Sequence, residues 1–283
     1  MGHVMNRDMI SDFRTVLFDD EKSEATIEKY LRDLDRFYSF ANGMEITKEI
    51  AIRYKQSLIE CYAPASVNSM LAAINRFFKE QGWYDCIVKS VKIQRQSFRD
   101  KEKELTKEEY YRLLQTALAQ KNTRLYLLMQ TICATGIRVS EVQFITVEAI
   151  GKGHATVTLK GKTRQVHLPA ELRRQLQLFA KERGIASGCI FITRGGKPLD
   201  RSNILHEMKK LCAAVGIEHG KVFPHNLRHL FACTFYEETK DLSRLSDVLG
   251  HSNINTTRIY TCVSASAHVK QLESLGLIVQ ITA

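Results

Sequence analysis

The spacing of apolar residues divides this 283-residue chain into two stretches of different character. From about residue 5 to residue 88 the pattern is helical throughout. In SEATIEKYLRDLDRFYSF (23–40), Ile27, Tyr30, Leu31, Leu34, Phe37 and Tyr38 recur at the three-and-four spacing of one helix face, and Ser23 is placed to cap it. Thr47 opens a second helix through Ile52, Tyr54 and Leu58. A third starts at Pro64, carries Val67, Met70, Leu71, Ile74, Phe77 and Phe78 on one stripe, and stops near Gly82. These predict a small helical bundle. Gly2 and His3, ahead of Met5, read as an added remnant outside it.

The second stretch is mixed. Thr106 and Glu109 form a capping box that opens a helix. RLYLLMQTICATG (124–136) is apolar nearly all round and ends at Gly136, as a buried helix does. HATVTL (154–159) and RQVHL (164–168) alternate like two strands of a hairpin, and CIFIT (189–193) reads as another short strand. Helices return from Asn203. Leu242, Leu245, Val248 and Leu249 run to a stop at Gly250, and Asn253 or Asn255 can cap a further helix holding Tyr260 one to two turns inside. Val269, Leu272, Leu275 and Ile278 mark a last amphipathic helix. Residues 88–104 have no sustained stripe and many charges. The expected architecture is mainly α with a small β-sheet: a helical domain over 1–98, a linker over 99–104, and a mixed α+β domain over 105–283.

Charge adds the first hint of a partner. The net charge is +10, and residues 1–103 hold 17 basic against 16 acidic residues, which leaves 24 against 15 for the remainder. The excess therefore sits in residues 104–283, while within the first part residues 86–99 contain Lys89, Lys92, Arg95 and Arg99 and no acid. Such a surface suits a polyanion, most simply nucleic acid, although a solubilising face has the same composition. No apolar run approaches the ~20 residues that span a bilayer, and the N-terminus has no signal core. The seven cysteines are scattered, odd in number and never in a CxxC pair. That argues against a disulfide framework or zinc ribbon and for a reducing cytoplasm, with most of the cysteines buried.

Four constellations carry candidate chemistry. Arg138, in TGIRVSE (135–141), follows a helix stop, where its planar fork can meet a phosphate or pair with Glu141. Lys160 and Lys162 lie in the hairpin turn, where a lysine is either solvated or able to donate a proton to a leaving oxygen. In PHNLRH (224–229), His225 and Arg228 share one helix face, while Leu227, Phe231 and Phe235 mark the core stripe. In LGHSNINTTRIYT (249–261), the turn after Gly250 lets His251 and Tyr260 point into one cleft, or leaves them as a capping group and a core aromatic.

Taken in order, Arg138, the hairpin lysine, His-x-x-Arg, LGH and a C-terminal tyrosine resemble the tyrosine recombinases, the phage-integrase family of site-specific DNA recombinases. The resemblance covers nearly the whole chain, including TIEKYLRDLDRFYSF and SVNSMLAAINRFF, which look like that family's core-binding domain. It implies that Tyr260 attacks a phosphodiester to give a covalent 3′-phosphotyrosyl link and a free 5′-hydroxyl. Arg138, Arg228 and His251 would bind the non-bridging oxygens, Lys160 would protonate the leaving 5′-oxygen, His225 would assist proton movement, and Glu141 would steady Arg138. The hairpin departs from the family by one missing residue. Counting back from the following strand favours Lys160 over Lys162.

The expected catalytic set is thus Arg138, Lys160, His225, Arg228, His251 and Tyr260, with no cofactor and no metal. The implied partners are double-stranded DNA carrying recombination sites, accessory DNA-bending proteins, and further copies of the chain in a tetramer held by the C-terminal helix. An arm-binding domain and a membrane partner are not expected. A nicking-closing topoisomerase and a non-catalytic DNA-binding protein on the same fold are the competing readings. Integration, excision, inversion and dimer resolution all share this chemistry.

Overall fold

The computed structural model describes residues 2–93, 103–159, 161–251, 253–261, 269 and 273–275. The chain forms two compact units that part between Arg95 and Gln96.

The first unit is a helical bundle: α1 (Arg7–Asp19), α2 (Glu24–Ala41), α3 (Lys48–Cys61) and α4 (Pro64–Glu80), closed by a 3-10 turn at Tyr84–Cys86. Local sequence explains the ends. Asn6 and Thr47 accept backbone N–H bonds at the starts of α1 and α3, and Pro64 occupies the first turn of α4. Ser23 precedes α2 but spends its hydroxyl on Thr26 at 2.9 Å instead of on the backbone. The predicted stripes of α2 and α4 meet in the core, where Leu34, Phe37, Val67, Phe77 and Phe78 are sealed from solvent. Ile52, expected on the inner face of α3, is exposed; Ala51 and Tyr54 take that face.

His3 is no loose remnant. Its backbone pairs with Ile46, its ring stacks on Trp83 at 4.8 Å, and its Nε2 lies 3.0 Å from Asp85. The Tyr54 hydroxyl is buried without a hydrogen-bond partner among the described residues, and desolvation pushes its pKa up to about 12. An unpaired buried polar group costs ~1–3 kcal/mol. Tyr54→Phe is accordingly expected to raise the midpoint of a thermal melt; a drop of several degrees would show that the hydroxyl is satisfied after all.

The second unit starts with α5 (Lys107–Ala119), capped reciprocally by Thr106 and Glu109 as the sequence predicts. Then come α6 (Thr123–Thr135), α7 (Val147–Lys152), β1 (His154–Leu159), β2 (Lys162–His167), α8 (Ala170–Glu182), α9 (Arg201–Val215), α10 (Pro224–Thr239) and α11 (Leu242–Leu249). Strands β1 and β2 pair antiparallel, His154 opposite His167 and Leu159 opposite Lys162, and form the one sheet among the described residues. CIFIT is not a strand. Cys189 and Ile192 make isolated bridges to Thr146 and Pro198, so the segment is pinned at single residues without a ladder. Helix α6 is the buried helix expected, with α10 packed along it in a core that includes Leu128, Ile132 and Leu227. Of the described cysteines, Cys86, Cys212 and Cys233 are buried, Cys133 and Cys189 half-buried, and Cys61 exposed. None of the described helices is long and apolar enough to cross a membrane.

Candidate active site

The site is organised around one helix end. Helix α11 stops at Gly250, which adopts φ +63°, a left-handed conformation that suits glycine. The N–H of Gly250 bonds the Asp247 carbonyl and the N–H of His251 bonds the Ser246 carbonyl, the paired arrangement of a Schellman cap. Three carbonyls beyond these turn outward, and each is taken by a different arginine. Arg164 Nη1 donates to Val248 O at 2.9 Å, Arg228 Nη2 to Leu249 O at 2.8 Å, and Arg138 Nη2 to Gly250 O at 3.2 Å. A helix C-terminus carries partial negative charge, so it gathers cations that would otherwise repel one another.

Each arginine reaches that end from its own element. Arg138 follows the left-handed Gly136 that stops α6, and sits at the head of a 3-10 turn (Val139–Phe144), not of an α-helix. A Cβ on Gly136 would lie 2.5 Å from the Phe231 ring, so the chain must be glycine there to pass α10. Glu141 is buried and binds Arg138 twice: its carboxylate accepts from the Arg138 backbone N–H and from Nη1, both at 2.9 Å. Arg228, on α10, is 2% exposed. Besides Leu249 it donates to the Gly136 carbonyl, and its Nη2 stands 3.0 Å from His251 Nε2. Desolvation, followed by the field of Arg138, lowers its pKa to about 10, so it stays charged at neutral pH.

His225, one turn before Arg228, opens onto a cleft of about 460 Å³ that Arg138, Arg228, Arg201 and Lys209 also line. Partial desolvation and the charges of Arg228, Arg201 and Arg138 lower the His225 pKa, which favours the neutral, proton-accepting ring. His251 is pushed down to about 4 by desolvation and then by Arg228, Arg138, Arg164 and His225. Its Nδ1 is 2.9 Å from Thr257 Oγ1. With Nε2 accepting from Arg228, Nδ1 carries the proton and donates to that hydroxyl.

Because the folded pKa of His251 lies below the ~6.5 of an unfolded chain, the unfolded state binds the extra proton between about pH 4 and 6.5. His251 therefore lowers stability as pH falls through that window. The expected result is that thermal melts from pH 7 to pH 4.5 decline less steeply for His251→Gln than for the wild type; equal slopes would show that the ring is not held neutral.

Tyr260 lies in a 3-10 turn (Arg258–Thr261), preceded by a second 3-10 turn (Ile254–Thr256) that Asn253 caps, and not one or two turns into an α-helix. Its ring is 1% exposed, close to parallel with His251 at 6.4 Å and edge-on to His229 at 5.0 Å, in a small apolar cluster with Cys233, Leu245 and Leu249. Desolvation raises its pKa, and Arg228 pulls the other way.

The structure therefore brings together five of the six residues singled out from sequence: Arg138, His225, Arg228, His251 and Tyr260. Lys160 lies outside the described residues, as does most of the predicted last helix. Sequence reasoning missed Arg164 and Thr257. Strand alternation was a usable signal for the first, since Arg164 is two residues from the buried Val166 and opposite the buried Val157. Nothing in the sequence marked Thr257.

The model of the phage integrase family matches residues 103–267. The chain belongs to that family, the tyrosine recombinases, a class of site-specific DNA recombinases. Tyrosine recombinase XerA of Thermococcus kodakarensis is 29% identical over 282 residues, spanning 96% of each chain. The fold is shared with a crystal structure of XerA recombinase, with a TM-score of 0.53 and 24% identity over 96% of this chain and 99% of that one. It is shared also with a lambda integrase tetramer bound to a Holliday junction, with a TM-score of 0.75 and 16% identity over 92% of this chain and 77% of that one.

Proposed function

We propose that this protein cuts and rejoins duplex DNA at paired recombination sites through a covalent 3′-phosphotyrosyl intermediate. The observation that carries the reading is the convergence of Arg138 and Arg228 on one helix end beside the buried Tyr260, with His251 in contact with Arg228. A phosphodiester gains about one further negative charge in its five-coordinate transition state, and donors aimed at that charge are worth ~3 kcal/mol each. Arg138 and Arg228 bind the non-bridging oxygens. When Arg228 turns from His251 to phosphate, the His251 proton moves to Nε2 and the Thr257 hydroxyl donates to Nδ1, which makes His251 the third donor.

The bond from the Tyr260 oxygen to phosphorus forms as the bond to the 5′-oxygen breaks. His225 accepts the tyrosine proton, and Lys160 supplies one to the leaving oxygen. Phosphoester energy is kept in the protein link, so rejoining needs no nucleotide cofactor and no metal. Unit 1 and the basic segment after it add phosphate contacts, whose strength falls as salt rises. We assign the C-terminal segment, in which Val269 and Leu275 are exposed, to docking on a neighbouring copy in a DNA-bound tetramer.

The test uses a 5′-labelled duplex from the DNA flanking the gene, nicked to trap cleavage, in chelator. A labelled band of protein mass on a denaturing gel is expected, and loss of the label to tyrosine phosphodiesterase identifies the bond. Binding of the fragment without any adduct at any nick position would favour a non-catalytic DNA-binding protein. Relaxation of single-site plasmids at the rate of two-site plasmids would favour a topoisomerase.

A further inference from the structure

Arg164 has no part in the reaction just described, yet its surroundings are those of a residue that is held in place at a cost. Strand β2 turns it inward opposite Val157, and its side chain is 17% exposed. Nη1 donates to Val248 O at 2.9 Å, Nη2 to Glu141 Oε2 at 2.6 Å, and Nε is buried with no partner among the described residues. Burying a charged fork with one donor unsatisfied is unfavourable, and a well-packed apolar side chain in such a place is commonly neutral or stabilising. Stability is thus a poor account of an arginine here.

The geometry points to Arg164 as a positioning residue for Arg138, acting through Glu141; this rests on the phosphate-binding role proposed above. A lone arginine beside a buried carboxylate closes into a two-bond fork that consumes both its outer nitrogens. Glu141 cannot accept that fork, because Oε2 is already taken by Arg164 and by the backbone N–H of Arg138. Only Oε1 is left for Arg138 Nη1. Nη2 is thereby directed to the end of α11, where it needs to exchange only one carbonyl for a phosphate oxygen. Charge follows the same logic: Arg138 with Glu141 is a neutral pair, and Arg164 restores a net positive charge to the group. The demand for close fit is visible at Gly250, where a Cβ would lie 2.4 Å from Arg164 Cδ.

The test is a double-mutant cycle on cleavage of the nicked duplex, in single turnover and over hours, with DNA affinity and thermal melting measured alongside. Arg164→Met is expected to slow cleavage about tenfold to a hundredfold, the cost of a misplaced binding group. DNA affinity should stay within about twofold, and the melting midpoint should be unchanged or higher. In an Arg138→Ala background the same change should cost less than about twofold, since the group through which it acts is gone. Arg164→Lys, which keeps the charge but cannot span Glu141 and Val248 together, should recover part of the rate. A similar loss in both backgrounds, or no loss in either, overturns the proposal. If Arg164→Met does not fold, the comparison is made with Arg164→Lys, and an equal loss with and without Arg138 overturns it in the same way. Wild-type cleavage by Arg138→Ala alone would instead overturn the reading of the site itself.

Discussion

Tyr260→Phe is expected to abolish the covalent adduct completely while leaving the protein folded and bound to DNA. The ring is sealed among Cys233, Leu245 and Leu249, and phenylalanine fills the same space. What disappears is the oxygen, and with it one interaction to the buried Arg228 guanidinium, so stability should change by no more than ~1–2 kcal/mol. A gel shift on the flanking-DNA fragments should match the wild type within about twofold, and the denaturing gel should show no labelled protein. An adduct formed by the phenylalanine variant would mean that another side chain is the nucleophile. Burial also raises the Tyr260 pKa, so the tyrosine is protonated in the unbound protein and attack has to draw on His225 and the arginines.

Arg228→Ala should produce the second large effect, on both activity and stability. The variant leaves the carbonyls of Gly136 and Leu249 without their donor inside the protein, at a cost of ~1–3 kcal/mol apiece. Part of that is returned by relief of its repulsion with Arg138, which helps to hold its pKa down to about 10. Cleavage should fall by about a hundredfold to a thousandfold, the loss of one donor aimed at the transition state. The rate is to be compared at a temperature where circular dichroism shows the variant folded; cleavage within tenfold of wild type there would remove Arg228 from the phosphate site. Lysine should not substitute. It lacks the fork that spans two carbonyls, and the same burial and neighbouring arginines would lower the pKa of a lysine, whose ordinary value is already below that of arginine.

Much of the fold was legible from the sequence because periodicity reports burial. The stripes of α2 and α4, the all-round apolar α6, the hairpin and the stop at Gly250 are local patterns with local causes. The misses share a different origin. CIFIT has strand composition, but pairing is a property of the neighbour, and only single bridges are available to it. Around Tyr260 the sequence offers Asn253 or Asn255 as the cap of a helix. Asn253 does cap, yet it starts only a 3-10 turn, in a stretch where Ile254, Thr256, Thr257 and Ile259 are all β-branched and poor helix formers. The candidate site residues that the structure brings together were legible as an ordered set. Their common anchor was not, because Arg138 and Arg164 reach carbonyls 112 and 84 residues further along the chain.

Carbonyl oxygens on the end of α11 hold arginines without neutralising them, and this bears on how the protein lets go of DNA. Under the proposed chemistry, a guanidinium that turns to phosphate gives up a carbonyl and regains it on release, so the guanidinium itself keeps the same number of hydrogen bonds in both states. If these arginines bind the scissile phosphate as proposed, the affinity for the cut strand is a difference between two good partners, not the whole strength of either. A site built in this way releases as readily as it grips, and a reaction that must run equally well in both directions depends on such a balance.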